Sequence, residues 1–191
     1  MRYRPEHKAA IHRKIVKDAS RRVRTQGITG SAVADVMRDA GLTHGGFYKH
    51  FGSKDELLIE SLSDAFTEIA DTLTRAAQKS PPAIAWKAIV KTYLRPEYAD
   101  HVEHGCPLPA LAPDLARAGK AIRARVPAEV LKYRSRMLPY MPGRRKADKA
   151  RNFIAIFATM TGAMAIARLF PDPAIRAAIL THARNFLLRS F

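Results

Sequence analysis

The sequence has a single cysteine, Cys106, among its 191 residues. One thiol excludes an internal disulfide framework and a zinc site built from several thiolates. No apolar run follows the charged residues at the start of the chain, so we expect no signal peptide and a soluble, cytoplasmic protein. The most apolar stretch, residues 152–169, is too short and too rich in small residues to predict a membrane span.

Acidic residues are scarce. Lys and Arg number 33 against 17 Asp and Glu, which gives a formal net charge of +16. This excess of positive charge favours binding to polyanions, and nucleic acid is the first candidate. The excess is high in residues 1–52 and again in residues 117–146, where ten basic side chains accompany one acid, Glu129. Charge alone leaves open a nucleic-acid interface and a merely solvated basic surface.

Strand signals are also missing, because apolar and polar residues do not alternate for long and no Asn-Gly or Asp-Gly turn occurs. Apolar residues recur instead at spacings of three and four, which predicts an all-α protein. Three short helices are expected before Gly52 and six or so helices after it. We therefore predict a DNA-binding domain at residues 1–52 and an effector-binding and dimerisation domain at residues 53–191.

Several helix boundaries follow from capping and breaking residues. Ser31 is predicted to cap the second helix, and Ser53 with Glu56 forms a capping box for a long fourth helix ending near residue 79. Prolines predict an irregular segment over residues 95–114, and Pro127 is expected to bend or split a helix at 118–141. The remaining helices are predicted at 7–25, 43–51, 82–94, 144–170 and from about 173 to 191.

Two of the short helices meet at a tight turn around Ala40 and Gly41, which is the pattern of a helix-turn-helix. The second helix must protrude to enter a major groove about 12 Å wide. Its apolar residues Leu42, Phe47 and Phe51 are predicted to face the core. Its polar side chains are then left outward, where they suit phosphates and base edges.

The segment 27–58 closely resembles the N-terminal domain of TetR-family transcriptional regulators. The resemblance is carried by Ala-Gly-Leu-Thr at 40–43, Gly-Gly-Phe-Tyr-Lys-His-Phe at 45–51 and Ser-Lys-Asp-Glu-Leu-Leu at 53–58. Met37 departs from the family pattern, in which alanine is more common. The resemblance implies DNA contacts by Ser31, Thr43, His44, Gly45, Tyr48, Lys49, His50 and Lys54. Basic residues near the start of the chain either reach adjacent phosphates or form a solvated face: Arg2, Arg4, Lys8, Arg13 and Lys14.

The same resemblance implies a homodimer on palindromic double-stranded DNA, paired through residues of about 144–190. The sequence fits this independently, since the helices predicted there are apolar over more than one face, although a monomer core would show the same pattern. The resemblance further implies a small-molecule effector. Apolar and aromatic residues that would line its pocket, or alternatively form plain core, are Phe66, Ile69, Trp86, Ile89, Val90, Tyr93, Cys106, Tyr133, Met137, Phe157, Met160 and Met164.

Cys106 lies in a Gly-Cys-Pro turn that resembles one found in a subset of TetR relatives, some of which sense electrophiles through a thiol. A reactive thiol and an inert buried thiol both fit the sequence. His101, His104 and Cys106 form a weakly specific set of metal ligands, and we predict no metal site. No oxyanion loop or orienting acid accompanies them, so we predict no enzyme activity and no cofactor. The sequence therefore predicts a ligand-responsive repressor, with a nonspecific basic nucleic-acid-binding protein as the alternative.

Overall fold

The computed structural model describes residues 5–191, and within that range the chain forms helices and loops but no strand. Four 3₁₀ helices lie at His44–Lys49, Pro82–Ile84, Val102–His104 and Leu138–Tyr140. The α-helices of the described range are α1 (Pro5–Gln26), α2 (Val33–Asp39), α3 (Lys54–Gln78), α4 (Ala85–Tyr93), α5 (Glu97–Asp100), α6 (Leu108–Arg117), α7 (Lys120–Met137), α8 (Lys146–Ala167) and α9 (Pro173–Ser190). The all-α prediction is confirmed.

The buried apolar residues form three clusters. A head core holds residues of α1, α2 and the first turn of α3, together with Phe47 and Phe51. The largest core is built mainly by α3, α4, α7, α8 and α9. A third cluster, which includes Val23, Leu58 and Ile122, lies where α1, α3, α6 and α7 meet. We call the described residues up to Gly52 the head and residues 53–191 the body. Helix α3 contributes to all three clusters and connects the head to the body.

The segment predicted to be the third helix is shorter and tighter than expected. It is a 3₁₀ helix of six residues, and the side chain of Thr43 does not cap it. Glycines at positions 45 and 46 are weak helix formers, which fits a short helix that relies on packing. The predicted cap at Ser31 is wrong, because Ala32 is the N-cap of α2 and the Ser31 hydroxyl donates to the Gly27 carbonyl at 2.8 Å.

The predicted Ser53 cap of α3 is confirmed, whereas the Glu56 side chain bonds one residue before the N-cap and does not complete a capping box. The backbone N–H of Glu56 donates to Ser53 Oγ at 3.1 Å, and the Glu56 carboxylate accepts the Gly52 N–H at 2.6 Å. These two bonds satisfy donors at the start of the helix that have no partner within it. The first turn of α3, which follows directly on the helix-turn-helix, is thereby fixed.

Two proline-based expectations are wrong in part, because residues 108–114 are helical and α7 is not split, although residues 95–107 form only α5, a short 3₁₀ helix and loops. The segment 95–114 contains α5 and the beginning of α6, since Pro107 and Pro109 stand at the start of α6, where a missing N–H costs nothing. Helix α7 continues through Pro127 without being split. Pro127 is exposed, while Ile122, Tyr133 and Met137 of the same helix are buried. The packing of that buried face holds α7 together across the proline.

Helix α8 is the one helix within residues 5–191 that passes a length and composition test for a membrane span. A core helix of a globular protein passes the same test. Phe153, Ile156 and Met160 of α8 are buried in the body core. Ile154 and Ile166 are 63% and 51% exposed, so α8 also carries apolar side chains on its outer face.

Candidate functional site

The turn between α2 and the 3₁₀ helix is fixed by the backbone and by α1. Gly41 has a φ of 76°, in the left-handed region that a side chain disfavours. The Leu42 N–H donates to the Met37 carbonyl at 2.8 Å, which closes the turn. Lys14 of α1 donates from Nζ to the Ala40 carbonyl at 2.6 Å. Lys14, for which a phosphate contact and a solvated face were both open, therefore anchors the turn.

Residues 43–51, which we call the recognition segment, are anchored by two buried phenyl rings. Phe47 and Phe51 are each 2% exposed and lie with ring centroids 5.5 Å apart. Tyr48 is 73% exposed and contacts Phe47 edge-on at 5.2 Å. Thr43, His44, Gly45 and Lys49 are also exposed. The segment thus presents exposed hydrogen-bonding groups above two buried phenyl rings. We call these exposed residues the ridge.

The two glycines of the recognition segment have different surroundings. A Cβ at Gly46 would lie 3.5 Å from the Met37 side chain, an ordinary packing distance. A Cβ at Gly45 would meet nothing within 4 Å. The backbone at Gly45 is therefore open to solvent, where a duplex could approach it closely.

His50 differs from its exposed neighbours because it is half-buried. Its Nδ1 is buried and has no hydrogen-bond partner within residues 5–191. Burial lowers the pKa of His50 below its ordinary value, and the neighbouring cationic side chains act in the same direction. His12 stacks on Phe51 at 4.6 Å and its Nε2 lies 2.7 Å from a carboxylate oxygen of Glu60.

The other predicted DNA contacts lie outside the recognition segment in sequence. The side chain of Ser31 is buried, so its hydroxyl points into the protein. Lys54 donates from Nζ to the Ile28 carbonyl at 3.4 Å and is half-buried. Lys8 lines a groove beside the recognition segment, and Arg13 is exposed. Arg2 and Arg4 lie outside the described residues.

The residues predicted to line the effector pocket come together in the body core. Phe157 is partly buried and the other eleven are buried, all within one cluster. Tyr133 contacts Phe157 at a centroid distance of 5.0 Å, and its hydroxyl is buried without a partner in the described part of the chain. A cavity of about 30 Å³ between α3 and α7 is lined by Phe66 and Tyr133. It is smaller than ordinary ligand sites, so this conformation of the core is closed there.

The Cys106 thiol belongs to this buried set. Burial raises the pKa of Cys106, although a hydrogen bond with Tyr93 acts in the opposite direction. A raised pKa lowers the thiolate fraction, which disfavours a reactive thiol in this conformation. His101 and His104 lie near acidic residues instead, with His104 Nδ1 3.6 Å from Glu68. No group of three metal-ligating residues occurs within residues 5–191.

A buried arginine that the sequence pattern did not predict links the head to the body. The Arg24 side chain is fully buried and donates to the Gly105 carbonyl at 3.0 Å and to Glu68 at 2.7 Å. It also donates to the backbone and hydroxyl of Ser20. Arg24 resembles the other basic residues of α1 in sequence. Its only signal is the spacing of Ser20 and Arg24 beside the apolar stripe of α1.

Arg168, at the end of α8, was not predicted either. Its Nη2 donates to the Tyr98 carbonyl at 2.8 Å, whereas Nε and Nη1 are buried without partners in the described part of the chain. Desolvation lowers the pKa of Arg168 below its ordinary value. Arg168 therefore packs against the Gly105 turn from the body side, opposite the contact made by Arg24.

Comparison with known proteins matches residues 15–60 to the family described as bacterial regulatory proteins, tetR family. The chain is similar to the HTH-type transcriptional regulator Mb1846 of Mycobacterium bovis, with 33% identity over 73 residues. That match covers 38% of this chain and 31% of the relative. The chain thus matches less than a third of that relative's length.

The fold likeness extends over the whole chain. A TetR transcriptional regulator from Chloroflexus aurantiacus superposes with a TM-score of 0.76 at 21% identity, covering 96% of this chain and 97% of that one. The regulator FadR from Bacillus subtilis, solved in complex with stearoyl-CoA, gives a TM-score of 0.70 at 12% identity, covering 94% and 98%. At these identities the likeness shows the fold, which here includes both the head and the helical body.

Proposed function

Because the chain belongs to the TetR family of regulators, we propose that it is a homodimeric transcriptional repressor released from palindromic operator DNA by a small molecule. Two recognition segments, related by the two-fold axis of the dimer, would enter successive major grooves about one helical turn apart. Such a protein acts where the chromosome is, so we place it in the cytoplasm. We assign it no catalytic role.

The observation that carries the proposal is the exposed ridge of the recognition segment. Tyr48 is 73% exposed although its neighbour Phe47 is 2% exposed. The outward phenol hydroxyl of Tyr48 can donate to and accept from phosphate oxygens or base edges. The surroundings are basic, and the open backbone at Gly45 allows close approach. Duplex DNA fits both the charge and the shape of this ridge.

The effector side of the proposal rests on the closed body core and its links to the head. A ligand that binds an open form of the core more tightly than the closed form would shift the population toward the open form. Opening the space between α3 and α7 displaces α3, which also carries Lys54 and packs into the head core. The separation of the two recognition segments would change with it.

We propose an apolar effector, since the predicted pocket is built from aromatic, aliphatic and methionine side chains. The stearoyl chain of the stearoyl-CoA bound by FadR is an apolar group of this kind, although its coenzyme A portion is charged. The electrophile-sensor alternative for Cys106 is less well supported, because its thiol is buried and has a raised pKa.

The test is selection of duplexes from a randomised pool, followed by binding measurements on the selected sequence over a range of salt concentrations. We expect one palindrome with half-sites about one helical turn apart. The variant Tyr48→Phe/Lys54→Ala should weaken binding to all selected sequences and lower the salt slope by about 0.9 for each phosphate that is no longer neutralised. The control Tyr140→Phe/Lys91→Ala should leave the slope unchanged. Equal affinity for any duplex would instead support a nonspecific basic protein.

A further inference from the structure

The corner between α6 and α7 carries three exposed cations that the proposed operator contacts do not use. Arg117 ends α6, Lys120 begins α7 and Arg123 lies in the first turn of α7. Lys120 and Arg123 have no acidic partner within residues 5–191. Arg117 lies 3.5 Å from Asp114, with its side chain 74% exposed. We call these three residues the α6–α7 corner.

Of the other seven basic side chains in the 117–146 stretch, three are paired with acids and four have no acidic partner within residues 5–191. Lys132 lies 2.7 Å from Glu129, and Arg145 lies 3.0 Å from Asp148. Arg136 pairs with Asp71 across the α3–α7 contact. At the corner, Lys120 and Arg123 therefore carry two positive charges that no acid in the described structure neutralises.

The corner is fastened to the DNA-binding head rather than to the far end of the body. Ile122, between Lys120 and Arg123, packs in the cluster that contains Val23 of α1 and Leu58 of α3. Asp114, three residues before Arg117, accepts the Ile28 N–H at 3.3 Å. Helix α7 can therefore not leave the head without breaking this packing.

The link from the corner to the expected phosphate contacts is short. Lys54, which is expected to touch the DNA backbone, donates to the carbonyl of Ile28 at 3.4 Å. The N–H of the same residue bonds to Asp114, the ion-pair partner of Arg117. Ile28 thus links Lys54, which bonds to its carbonyl, with Asp114, which accepts its N–H and pairs with Arg117. Arg117 of the corner is therefore connected to an expected phosphate contact through two intervening residues.

We infer that the α6–α7 corner is a second DNA-contacting surface, through which the effector domain itself binds backbone phosphates adjacent to those held by the head. Duplex DNA carries one negative charge per about 1.7 Å of axis, so phosphates lie within reach on either side of a docked head. The inference rests on the proposed function, because it requires the head to be seated on a duplex. It adds the body to the operator interface, so that movement of α7 against α3 would alter affinity directly.

The experiment compares two double variants on the selected palindrome. Lys120→Ala/Arg123→Ala removes the unpaired charges of the corner. Arg144→Ala/Lys146→Ala removes the same charge from exposed positions beyond the other end of α7. That helix has 18 residues, or about 27 Å at 1.5 Å per residue, so the two sites are well separated.

We expect the corner variant to lower the slope of log affinity against log salt by about 0.9 for each phosphate that it no longer neutralises, up to about 3.6 for a dimer. The distal variant should keep the wild-type slope. An unchanged slope in the corner variant, or an equal decrease in both variants, would overturn the inference. If the wild-type chain binds no palindrome at all, the proposed function itself fails, and that result is distinct from either of these.

Cross-linking gives a second readout. In a Cys106→Ser background, Lys120→Cys and Arg144→Cys are each labelled with a photoactivatable group and irradiated on the palindrome. Cross-links to DNA are expected from position 120 and not from position 144. The opposite pattern, or none from either position, would contradict a DNA contact at the corner. Urea unfolding curves check that each variant is folded, which we expect because the substituted side chains are exposed.

Discussion

Single residues decide how the DNA-binding head is attached to the body. Arg24 is the clearest case, because its buried guanidinium joins α1 to the Gly105 turn and to Glu68 of α3. A buried charge is tolerated only when it is paired and hydrogen-bonded, and here its donors meet acceptors from three elements. The same residue therefore contributes to stability and sets where the head sits.

We predict that Arg24→Met lowers the free energy of unfolding by about 2–3 kcal/mol, because Gly105 and Glu68 lose a charged donor. The control is Arg38→Met, since Arg38 forms an ion pair with Asp35 but its side chain is 71% exposed. That change should cost less than about 1 kcal/mol. Urea unfolding of both variants tests the prediction, and equal decreases would show that burial of Arg24 contributes nothing.

The titration of Cys106 supplies a second prediction for a single residue. Burial raises its pKa, so the folded state keeps a proton that the unfolded chain releases above about pH 8.5. The folded state then binds more protons than the unfolded state, and stability must fall as pH rises beyond that point. Cys106→Ser, which does not titrate there, should show a shallower fall between about pH 8.5 and pH 10. Urea unfolding across this range measures the difference, and parallel curves would mean that the thiol does not contribute.

Two glycines of the helix-turn-helix have different roles, since Gly41 is required for the fold of the turn and Gly45 is expected to matter for DNA binding. Gly41 needs its left-handed φ of 76°, whereas Gly45 faces open space and has no positive φ. We predict that Gly41→Ala destabilises the protein by about 1–2 kcal/mol. Gly45→Ala should keep or raise stability by up to about 1 kcal/mol and yet weaken operator binding, because its methyl group stands between backbone and duplex. Thermal unfolding and a binding assay on both variants test this, and a DNA affinity unchanged by Gly45→Ala would refute close approach there.

The elements were predictable from sequence where local chemistry decides them. Ser53 and Glu56 fix the start of α3 through short-range bonds, and this boundary was predicted. Pro127 was expected to interrupt α7, but the packing of its opposite face keeps the helix continuous. The buried role of Arg24 was not predictable, because its partner Gly105 is 81 residues away along the chain. Sequence patterns report local preferences and apolar faces, while such long-range polar contacts depend on the assembled fold.

At the scale of the whole molecule, the remaining feature to account for is the exposed apolar surface of α8 and α9. Ile154 and Phe186 are 63% and 62% exposed, although both helices also contribute to the body core. Exposed apolar residues on two adjoining helices indicate a surface that another protein covers. The proposed homodimer supplies that partner as a second copy of the same two helices, and a two-fold interface of this kind is self-complementary.

We predict that Ile154→Asp/Phe186→Asp yields a folded monomer, because each carboxylate would have to be buried unpaired in the dimer interface. Leu131→Asp is the control, since Leu131 is 57% exposed on α7, outside that surface. Sedimentation velocity should give twice the 21.2 kDa chain mass for the wild type and the control, and the single mass for the double variant. The monomer should also bind the palindrome at least about 100-fold more weakly, because the two heads are no longer linked. A double variant that keeps the dimer mass would show that α8 and α9 are not the pairing surface.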